Sequence, residues 1–306
     1  MSPPETLVMP YDESSIARAA QLILAGQPVA VPTETVYGLA ADATSAEAVA
    51  RIYSAKGRPS FNPLIVHVPD LAAAERLGAF DDEARALAKA HWPGPLTIVV
   101  PAQADNKIAA IVTAGLETIA LRVPADPAMQ ALLAATGRPL AAPSANASGR
   151  ISPTRATHVL ASLDGRIALV IDGGATERGI ESTIVAATGG GLRLLRRGPI
   201  EIDAPLASGE IEAPGMMASH YAPSKPLRLN AVEAQDGEFL IGFGVIAGDA
   251  SLSETGDLTE AAAHLFDLLH LADASDKPRI AVAPIPTEGL GAAINDRLTR
   301  AAAPRA

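Results

Sequence analysis

Short apolar runs of strand length alternate with segments of helical periodicity from the N-terminal region to about residue 200, and this alternation restricts the chain to an α/β architecture. After Asp12, placed as an N-cap, Ile16, Ala19, Ala20, Ile23 and Leu24 recur at helical spacing, and Gly26 supplies the stop. A strand is expected at Pro28–Val31. Thr44 and Glu47 have capping-box spacing ahead of a helix that carries Val49, Ile52 and Tyr53 on one side and ends near Ala55. Further helices are expected after Asp81 and from Asp126 to Ala135. Strands are expected at Leu64–Val68, Leu96–Val100, Thr118–Val123, Ile167–Ile171, Ser182–Ala186 and Leu192–Leu195.

Between Ile202 and Lys225 the pattern lapses into segments rich in proline and small residues, including Ala213-Pro214-Gly215-Met216-Met217 and His220-Tyr221-Ala222-Pro223. This reads as a linker with little regular structure, able to fold over a pocket as closing segments do. Beyond it, a strand near Phe239–Phe243, a helix over Leu258–Leu271, a strand at Arg279–Pro284 and a helix over Leu290–Ala302 form a second, smaller α/β unit.

The 306 residues carry a net charge of -10, which opposes a general nucleic-acid or anionic-membrane surface, so a polyanion must meet a local cluster of cations. With no cysteine, disulfides, thiolate metal sites and thiol nucleophiles are excluded. The N-terminal residues lack a signal-peptide pattern and no run approaches the roughly 18 apolar residues of a spanning helix, so a cytoplasmic protein without membrane contact is expected. Gly-x-x-x-x-Gly-Lys-Ser/Thr, Gly-x-Ser-x-Gly and His-Glu-x-x-His are all absent. Gly242-Phe243-Gly244 is followed by Gly248 one position late for a dinucleotide fingerprint.

Two short phrases supply candidate ligands. Lys56-Gly57-Arg58, followed by Pro59 and Asn62-Pro63, places two cations in a loop that turns twice, able to converge on one phosphate. The same cations also suit a solvated helix C-terminus. Ser144-Ala145-Asn146 adds a hydroxyl and an amide beside Pro143. His67 lies within an apolar strand, as a hydrogen-bonded core residue or as a catalyst. Arg122 closes a strand, where an α/β sheet presents ligands, and its planar fork suits a carboxylate. Thr33, Thr35, Ser182 and Thr183 offer neutral donors and acceptors, and Arg196-Arg197 before Gly198-Pro199 offers further cations.

Set within Pro32-Thr33-Glu34-Thr35-Val36-Tyr37-Gly38-Leu39, Trp92-Pro93-Gly94-Pro95-Leu96-Thr97, Ser152-Pro153-Thr154 and Glu181-Ser182-Thr183, these phrases resemble the Sua5/YrdC family, the threonylcarbamoyl-AMP synthases. The resemblance implies a YrdC-like catalytic domain at 1–203, a linker at 204–226 closing over the active site, and a Sua5 C-terminal domain at 227–306. It implies a twisted sheet, mixed parallel and antiparallel, around a basic cavity, plus a small Rossmann-like α/β domain. The implied reaction joins L-threonine, bicarbonate or CO₂, and ATP into threonylcarbamoyl-AMP and pyrophosphate. That product serves N6-threonylcarbamoyladenosine formation in tRNA through a separate transferase complex, with direct tRNA contact left open.

Carried over by motif, Thr35, His67, Arg122, Ala142 and Ser182 would surround L-threonine. Lys56, Arg58, Asn62, Thr118, Ser144, Asn146, Ser152, Arg196 and Tyr221 would contact ATP, with Lys56 and Arg58 as the catalytic cations. Mg²⁺ would enter on the ATP phosphates without protein ligands. His67 is the one candidate general base, although positioning alone could suffice. A rival reading is a non-catalytic RNA-binding module of the same fold. Overall acidity and the lack of an aromatic stacking series oppose it. A carbamoyl-transfer enzyme of the hydrogenase-maturation kind is opposed by the absence of zinc-finger cysteines.

Overall fold

The computed structural model describes residues 5–59, 61–207, 212–213 and 220–304, and Pro214-Gly215-Met216-Met217 of the expected linker lie outside the described residues. One mixed sheet contains β1 (Leu7–Pro10), β2 (Val29–Val31), β3 (Gly38–Asp42), β4 (Ile65–His67), β5 (Leu96–Pro101), β6 (Thr118–Arg122), β7 (Leu140–Ala141), β8 (Leu169–Asp172), β9 (Thr183–Ala186) and β10 (Arg193–Arg196). Their spatial order is β1-β8-β2-β3-β7-β4-β6-β5-β9-β10. Parallel pairing joins β1 to β8, β8 to β2, β4 to β6 and β5 to β9, and the remaining neighbours are antiparallel.

Period-two alternation divides the two faces of this sheet. Val29, Val31, Leu169 and Ile171 point to the face packed by α1 (Glu13–Leu24) and by a later helix over Pro127–Thr136. Ala30, Leu39, Val66, Ile98, Val100, Leu121 and Val170 point to the opposite face and the largest core cluster. That core also receives α2 (Ala46–Lys56), α3 (Leu71–Glu75), α4 (Asp82–His91), α5 (Ala110–Thr113) and, after α6 (Pro127–Thr136), α7 (Ala156–Leu163). Among the described residues, no helix covers the α1/α6 face toward β4, β6, β5 and β9. There Ile65, Val99, Ala120, Ile184 and Leu195 meet Ala213 of the connecting segment. The uncovered half of a sheet face leaves room for a cavity.

Local chemistry explains the element ends. Asp12 accepts from the Ser15 amide at 2.7 Å while the Ser15 hydroxyl reaches the Asp12 amide at 3.1 Å, a reciprocal cap for α1. At α2 the expected Thr44/Glu47 capping box is not formed. Ser45 is the cap, accepting from the Ala48 amide at 3.2 Å, because Thr44 bonds Asp42 instead. The helix runs one residue beyond Ala55, so Lys56 belongs to its last turn, and Gly57 closes it in the left-handed region. Strands β1, β3 and β7 escaped the apolar-run criterion. Gly38-Leu39-Ala40-Ala41-Asp42 lacks β-branched residues, and Leu140–Ala141 is held as a strand by partners on both sides.

A second sheet, wholly parallel, has the order β11-β14-β12-β13, with β11 (Leu227–Arg228), β12 (Glu238–Gly242), β13 (Ala250–Ser251) and β14 (Arg279–Val282). It packs with α8 (Leu258–Ala274) and α9 (Leu290–Ala302). Its core is not confined to the second unit. Val36, Ile151, Ile180 and Tyr221 are buried in the same cluster as Leu265, Phe266 and Leu298. No helix of the described residues is long and apolar enough to cross a membrane.

Gly179 marks a close backbone approach between the two units. It has φ of 68°, and a Cβ there would fall 2.4 Å from the carbonyl oxygens of Ala262 and Ala263 in α8. Gly149 has a similar φ of 77° with nothing near its missing Cβ. Gly149→Ala is expected to cost ~1 kcal/mol from backbone strain alone, and Gly179→Ala ~3 kcal/mol or more from strain plus the clash. Equal midpoint shifts of the two variants in urea unfolding would refute this packing.

Candidate active site

The topology gathers the pocket. Parallel pairing of β4 and β6 sets His67 opposite Arg122 at the strand carboxyl ends, on the sheet face lacking helical cover. Antiparallel β7 leads into Ala142-Pro143-Ser144, tied to the strand before it by Leu39 N–H donating to the Pro143 carbonyl at 2.7 Å. Parallel pairing of β5 with β9 brings Thr97 to Ser182, whose hydroxyls lie 2.8 Å apart. Together these segments surround one cavity, lined by residues of β4, β6, the Ala142–Ser144 turn and the Glu181–Ser182 loop.

Arg122 anchors the floor. One guanidinium nitrogen donates to Glu34 Oε1 at 2.6 Å and the other terminal nitrogen to Thr35 Oγ1 at 3.0 Å. Burial pushes the Glu34 carboxyl up, but the Arg122 charge and hydrogen bond outweigh it and hold the group below its ordinary value. Three buried polar atoms here have no hydrogen-bond partner among the described residues: Glu34 Oε2, Arg122 Nε and His67 Nδ1. Unsatisfied groups at this density mark a place where a polar ligand would complete the network. Burial, and then the Arg122 charge, push His67 down to about 3, so its ring is neutral at neutral pH. A group of that basicity is a hydrogen-bonding partner and a poor proton acceptor, which argues against His67 as general base.

A second group of side chains forms the opposite wall. Arg196 donates to the Ser182 carbonyl and hydroxyl, both at 3.0 Å. Arg58 donates to the Asn62 carbonyl at 3.3 Å and the Pro63 carbonyl at 3.0 Å, and burial lowers it to about 10. Glu181 accepts from Ser152 Oγ at 2.5 Å and from Arg297 Nε at 3.0 Å. Tyr221, 1% exposed and at φ of 63°, lines the cavity with His220, and the hydroxyl of Tyr221 has no partner. Burial, with Arg58, Lys56 and Arg196 nearby, pushes His220 down to about 3 against the pull of Glu181.

Of the residues expected from sequence, Thr35, Arg58, His67, Arg122, Ala142, Ser144, Ser182, Arg196 and Tyr221 line this one cavity. Lys56 does not line it. Its ammonium turns back to the Ser144 carbonyl at 2.6 Å and to the Asn146 carbonyl, so it ties the two phrases together from beneath. The picture of Lys56 and Arg58 converging on one phosphate is corrected accordingly: the first braces the site and the second faces it. Burial, then Arg58, drive the Lys56 ammonium well below its ordinary value, which an arriving anion would reverse. Asn62 and Asn146 are buried behind the wall, and Ser152 acts through Glu181. Thr118 opens β6 at the end opposite Arg122 and lies outside the cavity lining.

Sequence reading assigned no role to Glu34, Glu181, His220 or Arg297. Glu34 and Glu181 carried a signal, since Glu34 lies between Thr33 and Thr35 and Glu181 directly precedes Ser182-Thr183. Arg297 carried none, because its partner lies 116 residues away in the other unit. Around the cavity, buried Lys56, Arg58, Arg122, Arg196 and Arg297 outnumber the buried carboxylates Glu34 and Glu181, with the partly exposed Asp296 beside Arg297. A chain with a net charge of -10 thus concentrates positive charge at one point, as a polyanion site requires.

Comparison with known proteins gives the same answer over nearly the whole chain. The Sua5/YciO/YrdC family model, described as telomere recombination, matches residues 21–198. A second model, the C-terminal domain of threonylcarbamoyl-AMP synthase, matches residues 176–303. The threonylcarbamoyl-AMP synthase of Bacillus subtilis is 41% identical over 96% of this chain and 94% of its own length. That of Pyrococcus abyssi is 38% identical over 95% of this chain and 94% of its own. The crystal structure of P. abyssi Sua5 with L-threonine superposes with a TM-score of 0.84 at 35% identity, covering 97% of each chain. Carrying both matched domains around one basic cavity, the chain belongs to the Sua5/YrdC family in its two-domain Sua5 form.

Proposed function

We propose that this chain is a threonylcarbamoyl-AMP synthase, joining L-threonine, bicarbonate or CO₂, and ATP into threonylcarbamoyl-AMP with release of pyrophosphate. The observation that carries the reading is the divided cavity. One half offers Arg122, Thr35 and neutral His67 with unsatisfied donors and acceptors, and the other offers Arg58, Arg196 and Ser144. The first half suits a zwitterionic amino acid and the second a nucleotide triphosphate. Relatives over nearly the full length carry the same enzyme name, which supports this reading over an RNA-binding module.

In this proposal Arg122 Nε, left without a partner by Glu34 and Thr35, meets the threonine carboxylate. Ser182, held by Thr97 and Arg196, and Ala142 and Thr35 fix the side chain and amine. The deprotonated amine attacks CO₂, losing a proton from nitrogen, or bicarbonate, with loss of water, to form a carbamate. A carbamate oxygen then attacks the α-phosphorus, the bond to the β-phosphate oxygen breaks, and pyrophosphate leaves. Alignment and charge neutralisation supply the acceleration, with Arg58 and Arg196 facing the phosphates and Lys56 holding Ser144 and Asn146 in place. Tyr221 and His220 close the cavity as the linker folds over it. We assign the catalytic domain to 1–203, the closing linker to 204–226 and the C-terminal domain to 227–306.

The residues present fit a magnesium ion that arrives on the nucleotide. Among the described residues no group of three or more His, Asp or Glu side chains converges as a metal cage, and the two carboxylates at the cavity are engaged by arginines. Such an ion, when bound with ATP, offsets phosphate charge. The product is a reactive acyl phosphate. Its use in tRNA modification through a separate transferase, in the cytoplasm where ATP and threonine meet, completes the proposal.

Incubation of the purified chain with ATP, bicarbonate, magnesium and each amino acid in turn is expected to release pyrophosphate only with L-threonine. Turnover independent of threonine, or none with it, would sink the reading. Arg58→Ala is expected to raise the KM for ATP at least tenfold while changing the KM for threonine less than threefold. Equal losses in a folded variant would mean the cavity is not divided in this way. Because His67 is depressed to about 3, its charge does not change between pH 5 and 8. L-Threonine affinity measured by calorimetry is therefore expected to be flat over that range. A tenfold weakening between pH 7 and pH 6 would show His67 titrating there.

A further inference from the structure

We infer that Arg297, on helix α9 of the C-terminal unit, is a positioning residue for the active site, holding Glu181 and Tyr221 in the geometry that the cavity needs. The inference rests on the synthase reading above and adds a residue from the second unit to its machinery.

Arg297 is fully buried, although it belongs to a helix whose neighbouring charges face solvent or each other. Its Nε donates to Glu181 Oε2 at 3.0 Å, its Nη1 donates to Asp296 Oδ2 at 3.0 Å, and its guanidinium carbon lies 5.5 Å from the centroid of the Tyr221 ring. One side chain therefore contacts two residues of the cavity lining without lining the cavity itself. The Glu181 carboxylate passes the constraint on, because its other oxygen accepts the Ser152 hydroxyl at 2.5 Å. The next residue, Ser182, has both its carbonyl and its hydroxyl fixed by Arg196. On its far side the Tyr221 ring leans on Phe266 of α8 at 5.4 Å between centroids. The aromatic that closes the cavity is thus held between two groups of the C-terminal unit.

Charge explains why a cation is required there. The groups facing Glu181 are Arg297 from α9, itself paired with Asp296, Arg196 from β10, and His220 and Tyr221 from the closing segment. Burial pushes the Glu181 carboxyl up, and Arg297, then Arg196 and the Ser152 hydroxyl, more than offset it. Without Arg297 the largest of the opposing influences disappears, and burial raises Glu181 toward its protonated form. A neutral carboxyl donates where the carboxylate accepts, so the Ser152 contact would be lost or reversed. The Nη2 atom of Arg297 and the Tyr221 hydroxyl both have no partner among the described residues.

The test compares wild type, Arg297→Lys, Arg297→Met and Arg297→Met with Glu181→Gln in the full chain, with thermal unfolding as the check on folding. Arg297→Met is expected to lose tenfold or more in kcat/KM. Its acid limb in the pH profile of kcat/KM is expected to move upward by at least one pH unit, because activity that needs the carboxylate is lost as pH falls through a raised pKa. Arg297→Lys is expected to keep the wild-type limb, and the double variant to lose the limb. A purely structural role would lower activity and melting temperature without moving the limb, and that result overturns the inference. If wild type turns over no substrate, the synthase reading itself fails. Calorimetric titration with ATP then decides the positioning role, with a tenfold weaker Kd in Arg297→Met expected and an unchanged Kd overturning it.

Discussion

The ion pair between Arg122 and Glu34 is the contact around which the cavity is organised. Taking a guanidinium and a carboxylate out of water together costs several kcal/mol per ion before their attraction is counted, so the pair persists only with good geometry and further hydrogen bonds. Here the geometry comes from long-range topology, since the partners are 88 residues apart and meet because β4, β6 and β7 pair in the middle of a mixed sheet. The pair is deliberately incomplete in chemical terms: each partner keeps one atom unsatisfied. That pattern fits a site in which an incoming carboxylate and ammonium finish a network the protein has only begun. The same logic recurs at Glu181 and Arg297, where the missing partner comes from another unit.

Much of this was legible in the residues. Strand-end Arg122, the Lys-Gly-Arg turn and the Ser-Ala-Asn phrase pointed to a local polyanion site in an acidic chain, and the five residues named for threonine share one cavity with Arg58, Ser144, Arg196 and Tyr221 of those named for ATP. What failed did so for a physical reason. Lys56 and Arg58 looked equivalent in sequence, but the left-handed closure at Gly57 sends one side chain back beneath the Ser144 loop and the other toward the cavity. Ser45 in place of Thr44 as the α2 cap was decided by Asp42, a competitor two residues upstream that captured the threonine. Strands β3 and β7 have little intrinsic preference and exist through their neighbours, which no window of local sequence contains.

The division into two units looks sharper along the chain than it is in space. The second core takes in Val36, Ile151, Ile180 and Tyr221, residues that flank or line the cavity of the first unit. The loop from Gly179 to Ser182 is consequently shared: Gly179 lies against α8, Ile180 fills the second core, Glu181 meets α9, and Ser182 faces the cavity. Four consecutive residues thus translate the packing of one unit into the geometry of the other. The stacked rings of His158 and His270, 3.8 Å apart, and the bidentate Arg155–Asp267 contact join the units elsewhere along the same seam.

The 116-residue separation of Glu181 from Arg297 also has a meaning in time. A ribosome adding ~5–20 residues per second needs on the order of ten seconds to travel that distance. During this interval the large sheet can already assemble, since its last strand ends at Arg196, yet the carboxylate in its wall has not met its guanidinium. Until α8 and α9 emerge, the nascent first unit carries Glu181 without the guanidinium that meets it in the finished protein, and Tyr221 without the ring and cation it rests against.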